Sequence, residues 1–424
     1  MKVVCAPKGY NFKALNPDLE VVMFGSSTKS QGTVGGPIRD EVIRQKLAPA
    51  PRAWDFLAIA LAVVSADIAG HRNDSPDGWT RELELVIAVD DKKFWDTQIP
   101  KLEKLLGFLS TDRWKISFVK ANILRPDPQF AVRRRKSCVV LISGGLDSLI
   151  GALDLYAKDQ KPLVVSHLTR GDGEKQRQYA AMVGGGDSHL QLNHNVDIPG
   201  GEKPASQRAR SIAFIAYGVL GATTIARYEK GKTVTLNVCE NGMIAINAPM
   251  TDMRIGSLST RTAHPVYLSM IQEVLNAADL KVKIRNPYRF RTKGEMMTKC
   301  LDQNRLKAHA SETTSCGRFL TYGYKHCGRC VPCLIRRAAF KFWGKADATV
   351  YKFDDLSKKK ADYAKFDDVR SAAMGVAAAK MMGIERWLGP TVAGVPYDDL
   401  KSYNELAKRG LAEIDKLLQG FGIK

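Results

Sequence analysis

No stretch of this chain is long and apolar enough to cross a bilayer. The longest, Phe56 to Ala69, falls short of the roughly 20 residues that a spanning helix needs, follows Asp55 and contains Asp67, so it reads as a buried helix. Low-complexity tracts and fixed-period repeats are also lacking, which sets disordered and solenoid architectures aside. The opening residues, MKVVCAPKGYNF, have neither the apolar core nor the small-residue cleavage site of a secretory signal, and this predicts a cytoplasmic protein without membrane contact. In that compartment the eight cysteines are expected as thiols or metal ligands and not as disulfides. Acidic residues are in short supply: 44 stand against 64 basic ones, a formal charge of +20. An anionic partner follows, although nucleotide, nucleic acid and acidic protein all fit the sign of the field. The basic runs Arg133-Arg134-Arg135-Lys136 and Lys358-Lys359-Lys360 are either phosphate contacts or solvated surface.

At 424 residues the chain exceeds what one hydrophobic core usually serves, so two or three domains are expected. Residues 1–130 read as an accessory α/β unit. Val21 to Phe24 is a short strand, Trp54 to Ile68 a buried helix, and Glu82 to Val89 a half-buried strand. Leu102, Leu105, Leu106 and Leu109 recur at helical spacing, and Trp114, Ile116 and Phe118 alternate as in a strand. No constellation of catalytic residue types occurs there. Pro126-Asp127-Pro128 marks a boundary. Residues 131–345 then take up the rhythm of a doubly wound parallel sheet: strand Cys138 to Ile142, helix Ser148 to Ala157, strand Leu163 to Ser166, helix Ser211 to Tyr228, strand Thr233 to Val238. Residues 346–424 form a helical extension, with Ala372 to Met382 and Leu400 to Leu418 as its better segments.

Between the first strand and first helix of the middle unit lies Ser143-Gly144-Gly145-Leu146-Asp147-Ser148. The glycines allow a tight turn, and the following helix points its free N–H groups back at it, a geometry that binds phosphate. No lysine follows in the GxxxxGK[ST] arrangement, so this is not a Walker loop and γ-phosphate transfer is disfavoured. Ser166-His167-Leu168, after the second strand, sits where such a sheet opens its ligand crevice. Backbone there is expected to meet a ligand, while His167 is equally a packed histidine.

Cys316, Cys327, Cys330 and Cys333 form C-x10-C-x2-C-x2-C, a spacing suited to a closed tetrahedral zinc site whose role is structural, since no coordination position is left for water. An iron–sulfur cluster and a redox pair are the competing readings. Cys5, Cys138, Cys239 and Cys300 are scattered and read as small core residues.

Over residues 137–340 these pieces resemble the QueC family, the 7-cyano-7-deazaguanine synthases. SGGxDS matches the PP-loop of ATP pyrophosphatases, and Cys316 with Cys327-Gly328-Arg329-Cys330 and Cys333-Leu334-Ile335-Arg336 matches the family's zinc segment. The resemblance implies an adenine nucleotide α-hydrolase-like (HUP-type) core. It assigns ATP to Ser143, Gly144, Gly145, Leu146, Asp147, Ser148, Ser166, His167 and Leu168, with Asp147 helping to hold Mg2+. Gln207 to Phe214 looks like the family's arginine-bearing segment, which makes Arg210 the matching arginine, and Tyr288 to Met297 offers Lys293. The implied chemistry is adenylation of 7-carboxy-7-deazaguanine, splitting ATP between its α and β phosphates, followed by attack of an amine.

The chain departs from the short biosynthetic members in its N-terminal unit, its C-terminal extension and its substrate segments. Those segments, Glu240 to Asn247 and Ser259 to Pro265, replace an SGYPDCR-like run and make Glu240, Asn241, Arg261 and Thr262 the candidate substrate contacts. The long form is similar to QatC, the QueC-like component of the Qat anti-phage defence system, which implies partner proteins of a defence operon and an acceptor that is either ammonia or a protein amine. Two other functions fit the sequence: a tRNA-modifying thiolase using an unclaimed cysteine such as Cys239, and a non-catalytic module binding nucleic acid or a protein.

Overall fold

The computed structural model describes residues 1–169, 171–203, 206, 208–250, 261–358 and 368–423. Gln207, Ser259, Thr260, Lys359 and Lys360 lie outside them. The protein is α/β, with two five-stranded sheets whose strands all pair in parallel. Among the described residues no helix is long and apolar enough to span a membrane.

The first sheet comprises β1 (Lys2–Pro7), β2 (Leu19–Met23), β3 (Gly32–Val34), β4 (Glu82–Val89) and β5 (Arg113–Lys120), in the order β3-β2-β1-β4-β5. The second comprises β6 (Cys138–Leu141), β7 (Pro162–His167), β8 (Leu190–Leu192), β9 (Val234–Asn237) and β10 (Val282–Arg285), in the order β10-β9-β6-β7-β8. Counted within each sheet, both read third, second, first, fourth, fifth. The chain has built the same doubly wound topology twice. In such a sheet the direction of winding reverses between the first and fourth strands, and the loops leaving their carboxyl ends part to form a crevice.

The crossover from the third to the fourth strand is a long apolar helix in each half, Pro51–Ala69 and Arg210–Thr223. The two helices pack on each other, and one hydrophobic cluster runs through both sheets. That packing explains why Phe56 to Ala69 reads as almost continuously apolar: one side meets the first sheet and the other meets the second helix. A short bridge adds to the junction, with Thr33 and Asp197 exchanging backbone hydrogen bonds of 2.8 and 3.0 Å.

The expected helix over 211–228 is broken after Thr223. The hydroxyls of Thr223 and Thr224 turn back to the carbonyls of Leu220 and Gly221, and Ile225 leaves the helix to form a bridge with Arg134. Side-chain bonds of this kind compete with helix continuation. The turn Ala226–Glu229 follows separately.

Beyond the second sheet, helix Val331–Trp343 packs on the short helix Lys293–Thr298 and on Tyr397–Gln419, the last long helix of the chain. Tyr397–Gln419 belongs to a second apolar cluster that also contains Met243 and Ile246, just beyond β9. The C-terminal helices therefore reach the loops at the carboxyl edge of the second sheet.

Candidate functional site

The phosphate-type turn leaves β6 and opens helix Leu146–Ala157. Gly144 has φ of 90°, a left-handed conformation that favours glycine. The turn is laced by its own hydroxyls: Ser148 Oγ donates to the Gly145 carbonyl (2.9 Å) and accepts from the Ser143 amide (3.3 Å), while Ser143 Oγ accepts from the Gly145 amide (3.3 Å). Leu146 faces the other way, into the apolar core.

Asp147, one residue into the helix, is 5% exposed. Its carboxylate accepts from the Asn241 amide (3.0 Å) and Asn241 Nδ2 (2.7 Å), and Lys293 Nζ forms an ion pair with it. Asn241 follows β9 and Lys293 follows β10, so the switch point between β6 and β9 gathers all three. Burial by itself would push the Asp147 carboxyl up; the Lys293 ammonium and the neighbouring donors hold it below the ordinary carboxylate range. Glu240 behaves oppositely. Burial, then the charge of Asp147, raise it well above its usual value, while Asn241 Nδ2 donates to its Oε1 at 3.1 Å. One carboxyl is held ionised and its neighbour neutral, the division expected when two acids share a site.

Asn286, at the end of β10, fixes this loop by donating from Nδ2 to the Glu240 carbonyl (2.9 Å) and accepting the Tyr288 amide at Oδ1 (3.0 Å). The Gly242 amide then donates to the Arg291 carbonyl at 2.8 Å. A Cβ at Gly242 would stand 2.4 Å from the Arg289 carbonyl oxygen and 2.3 Å from Leu406, so only glycine permits this approach. Two loops distant in sequence are thereby joined.

At the adjacent strand end, Ser166 is buried and its hydroxyl pairs with His189 Nε2 at 2.7 Å. His167 stacks on His194 with ring centroids 4.4 Å apart, and its carbonyl accepts from Gln176 Nε2 at 2.9 Å. Burial, then His194 and Arg210, lower the His167 imidazole to about 2, so it is neutral. Leu168 donates its amide to the Leu192 carbonyl at 2.8 Å, tying the β7 and β8 ends together. Arg210 opens its helix with an exposed side chain whose charge is felt by both histidines. The turn that carries Arg261 and Thr262 packs on Gly242–Ala245, next to Asn241, while the Arg261 side chain is directed away from that loop. Arg261 donates to the Phe108 carbonyl at 2.5 Å and sits over the Phe108 ring, against the first half of the chain, with Thr262 beside it in a short 3-10 turn.

The four sulfurs of Cys316, Cys327, Cys330 and Cys333 lie within 4.8 Å of one another, with Cys316 to Cys330 and Cys327 to Cys333 both 3.9 Å. A tetrahedron with Zn–S bonds of about 2.3 Å has sulfur edges of roughly 3.8 Å. Amides of Arg318 and Cys327 point at Cys316 Sγ, and those of Arg329 and Cys330 at Cys327 Sγ, at 3.2–3.4 Å. Such donors favour thiolates, and the donor set fits one zinc ion better than a multi-iron cluster.

The cysteine segment is docked directly on the phosphate turn. The Thr314 amide donates to the Gly144 carbonyl (3.0 Å), and Thr314 Oγ1 donates to Asp172 Oδ1 (2.7 Å), the carboxylate that borders Gly144. Arg336, fully buried, holds the same segment by donating to Thr313 Oγ1 (2.7 Å), Ser315 Oγ (3.2 Å) and the Ala310 carbonyl (2.7 Å). Thr314, Asp172 and Asn286 escaped the sequence reading; only the proximity of Thr314 to Cys316 hinted at one of them.

Compared with known proteins, residues 262–344 match the model of the queuosine biosynthesis protein QueC. That span contains Lys293, Arg336 and all four clustered cysteines but not the phosphate turn. The chain is also similar to a 7-cyano-7-deazaguanine synthase of Rhizobium johnstonii, 26% identical over 236 residues, which cover 52% of this chain and 94% of the relative. No solved structure matches. By these likenesses the chain is QueC-like, with the family model matched over the span that carries Lys293, Arg336 and the four cysteines.

Proposed function

We propose that this chain is an ATP-dependent ligase that adenylates a carboxylate, 7-carboxy-7-deazaguanine being the first candidate, and releases pyrophosphate. The observation that carries the reading is the convergence of the SGGxDS turn, the Asp147–Lys293 pair and the docked cysteine segment at one switch point. In this reading the substrate carboxylate oxygen attacks the α phosphorus, the bond to the β-phosphate oxygen breaks, and the amides and hydroxyls of the turn receive the departing diphosphate. Lys293 and Arg210 supply fixed positive charge where negative charge develops. Asp147 is the carboxylate suited to magnesium, which is bound through one or two carboxylates together with substrate phosphates. Glu240 and Asn241 border the substrate side. Zinc, held by Cys316, Cys327, Cys330 and Cys333, would stabilise the segment that Thr314 anchors on the turn.

An amine, of ammonia or of a partner protein in a defence operon, then attacks the acyl carbon, and the bond to the phosphate oxygen breaks with AMP as the leaving group. The two extra units of the chain support the protein acceptor. A thiolase reading is weakened by Cys239: it is buried against the phosphate-turn helix, and burial, then the charges of Asp147 and Asp154, push its thiol far above the ordinary range. Such a thiol is a poor nucleophile.

Purified protein given ATP, magnesium, 7-carboxy-7-deazaguanine and an ammonium salt is expected to form AMP and pyrophosphate in equal amounts. ADP with inorganic phosphate would overturn the reading. Mass spectrometry of a co-expressed partner, searched for a deazaguanine-sized adduct, separates the two acceptors.

A further inference from the structure

Lys293 is only 6% exposed and reaches Asp147 from the first turn of a helix six residues long, Lys293–Thr298. So short a helix has little stability of its own, and its place must be set by what grips it. Its start is a capping box, Thr292 with Glu295: Thr292 Oγ1 accepts the Glu295 amide (3.0 Å) and Glu295 Oε2 accepts the Thr292 amide (2.9 Å). Both partners are engaged a second time from the far end of the chain. Thr292 Oγ1 donates to Glu413, and a Cβ on Gly294 would stand 2.8 Å from each Glu413 oxygen. Arg409 donates from Nε to Glu295 Oε1 (2.7 Å) and from Nη2 to the Phe290 carbonyl (2.9 Å). Arg409 and Glu413 are four residues apart and therefore share one face of helix Tyr397–Gln419. The same helix packs Leu406 against Gly242, one residue after Asn241. Both loops that meet Asp147 thus lean on it.

We propose that helix Tyr397–Gln419 is a working part of the site, with Arg409 and Glu413 as positioning residues that act through Lys293. The proposal rests on the ATP-cleaving reading above and assigns the C-terminal extension a task within it. Lys293 stabilises charge at the α phosphorus, so loosening its turn lowers kcat more than it raises KM for ATP.

The surroundings of Glu413 give the arrangement a pH signature. Its carboxyl titrates at about 7, pushed up by burial and by Glu295, with Thr292, the Gly294 amide and Arg409 pulling the other way. Among neighbouring cations on the packed helix Val331–Trp343, Lys341 is directed to the Lys416 carbonyl and Arg337 to Asp354. An acid raised in the folded state favours docking of its neutral form, so the grip is fullest at low pH and is lost as pH rises through about 7.

Two full-length variants, Glu413→Gln and Arg409→Gln, test this. Arg409→Gln is expected to speed hydrogen exchange of the amides between 292 and 298 by about tenfold or more and to lower kcat for AMP formation by about tenfold with KM for ATP nearly unchanged. Glu413→Gln keeps the shape and removes the charge, so the decline of kcat between pH 6 and pH 8 should flatten relative to the unaltered chain. If Arg409→Gln fails to fold, Glu413→Gln carries the exchange measurement with the opposite sign: at pH 8 it should slow exchange of the amides between 292 and 298 relative to the unaltered chain, and unchanged exchange there counts against the proposal. Unchanged exchange in Arg409→Gln together with an unaltered pH profile in Glu413→Gln overturns the proposal. An unaltered protein that makes no AMP defeats the ligase reading alone, because the exchange measurement judges the grip on Lys293 without substrate.

Discussion

At the scale of single residues, the crevice floor sorts its ionisable groups by environment. Asp147 is held ionised because Lys293 and Asn241 meet it, and Glu240 is pushed toward its neutral form by burial and then by the charge that Asp147 already holds. Cys239, on the same loop, has no such partner and packs against Gly151 of the phosphate-turn helix. Cys239→Ser should therefore cost about 1–3 kcal/mol for a buried hydroxyl and leave AMP formation within a few-fold of normal. A denaturation midpoint and a turnover measurement check both statements; loss of all activity with the fold intact would restore a sulfur-transfer role. The residues legible in the sequence here were those bound by fixed spacing: SGGxDS marks Asp147, and the cysteine pattern marks the four sulfurs that the structure brings together. Asn286, Thr314 and Glu413 were not legible because each meets its partner across a long sequence separation, 121 residues for Thr292 and Glu413 and 142 for Asp172 and Thr314. No local periodicity records such pairs.

At the scale of elements, the cysteine segment acts as a clamp whose outer jaw is the four sulfurs and whose inner jaw is Thr313 to Ser315. Arg336 lies between them, and its guanidinium takes up the Ala310 carbonyl and the hydroxyls of Thr313, Ser315 and Thr349. Four clustered sulfurs on one side and a saturated guanidinium on the other leave the Thr314 amide aimed at the Gly144 carbonyl. One zinc per chain is expected by elemental analysis. Structural sites of this kind bind with apparent energies of about 10–16 kcal/mol, so stripping the metal with a chelator should lower the melting temperature and raise KM for ATP; a protein that loses zinc and keeps both values would show the clamp to be idle. Elements long enough to show a period were legible: the crossover helices, β4 and the C-terminal helix. Strands of three or four residues such as β8 (Leu190–Leu192) and β10 (Val282–Arg285) were not, since their pairing partners rather than their own sequence make them strands.

At the scale of the whole molecule, the repeated strand order raises the question of why the crevice is furnished at one switch point and not at the other. In the first sheet the donors after β4 are already taken: Asp55, wholly buried in helix Pro51–Ala69, accepts the Asp90 amide (2.8 Å) and Trp95 Nε1 (2.8 Å). That half instead supports its neighbour. Asp67, near the end of the same helix and 1% exposed, receives Arg81 Nη2 on Oδ1 (2.6 Å) and the Ala209 amide on Oδ2 (3.0 Å), immediately before Arg210. Arg81 also pairs with Asp112, and Arg208 joins Asp112 from the second half at 3.3 Å. A buried carboxylate of the first half thus fixes the start of the helix that presents Arg210. Removing one member of a buried charge network strands the others at a cost of about 3–5 kcal/mol. Asp67→Ala should accordingly lower the urea midpoint of the entire chain in one transition, and should lower kcat for AMP formation although Asp67 belongs to the other sheet. Two separate transitions, with only the earlier one moved and kcat intact, would mean that the halves are stacked without being coupled and that Arg210 takes its position from the second sheet alone.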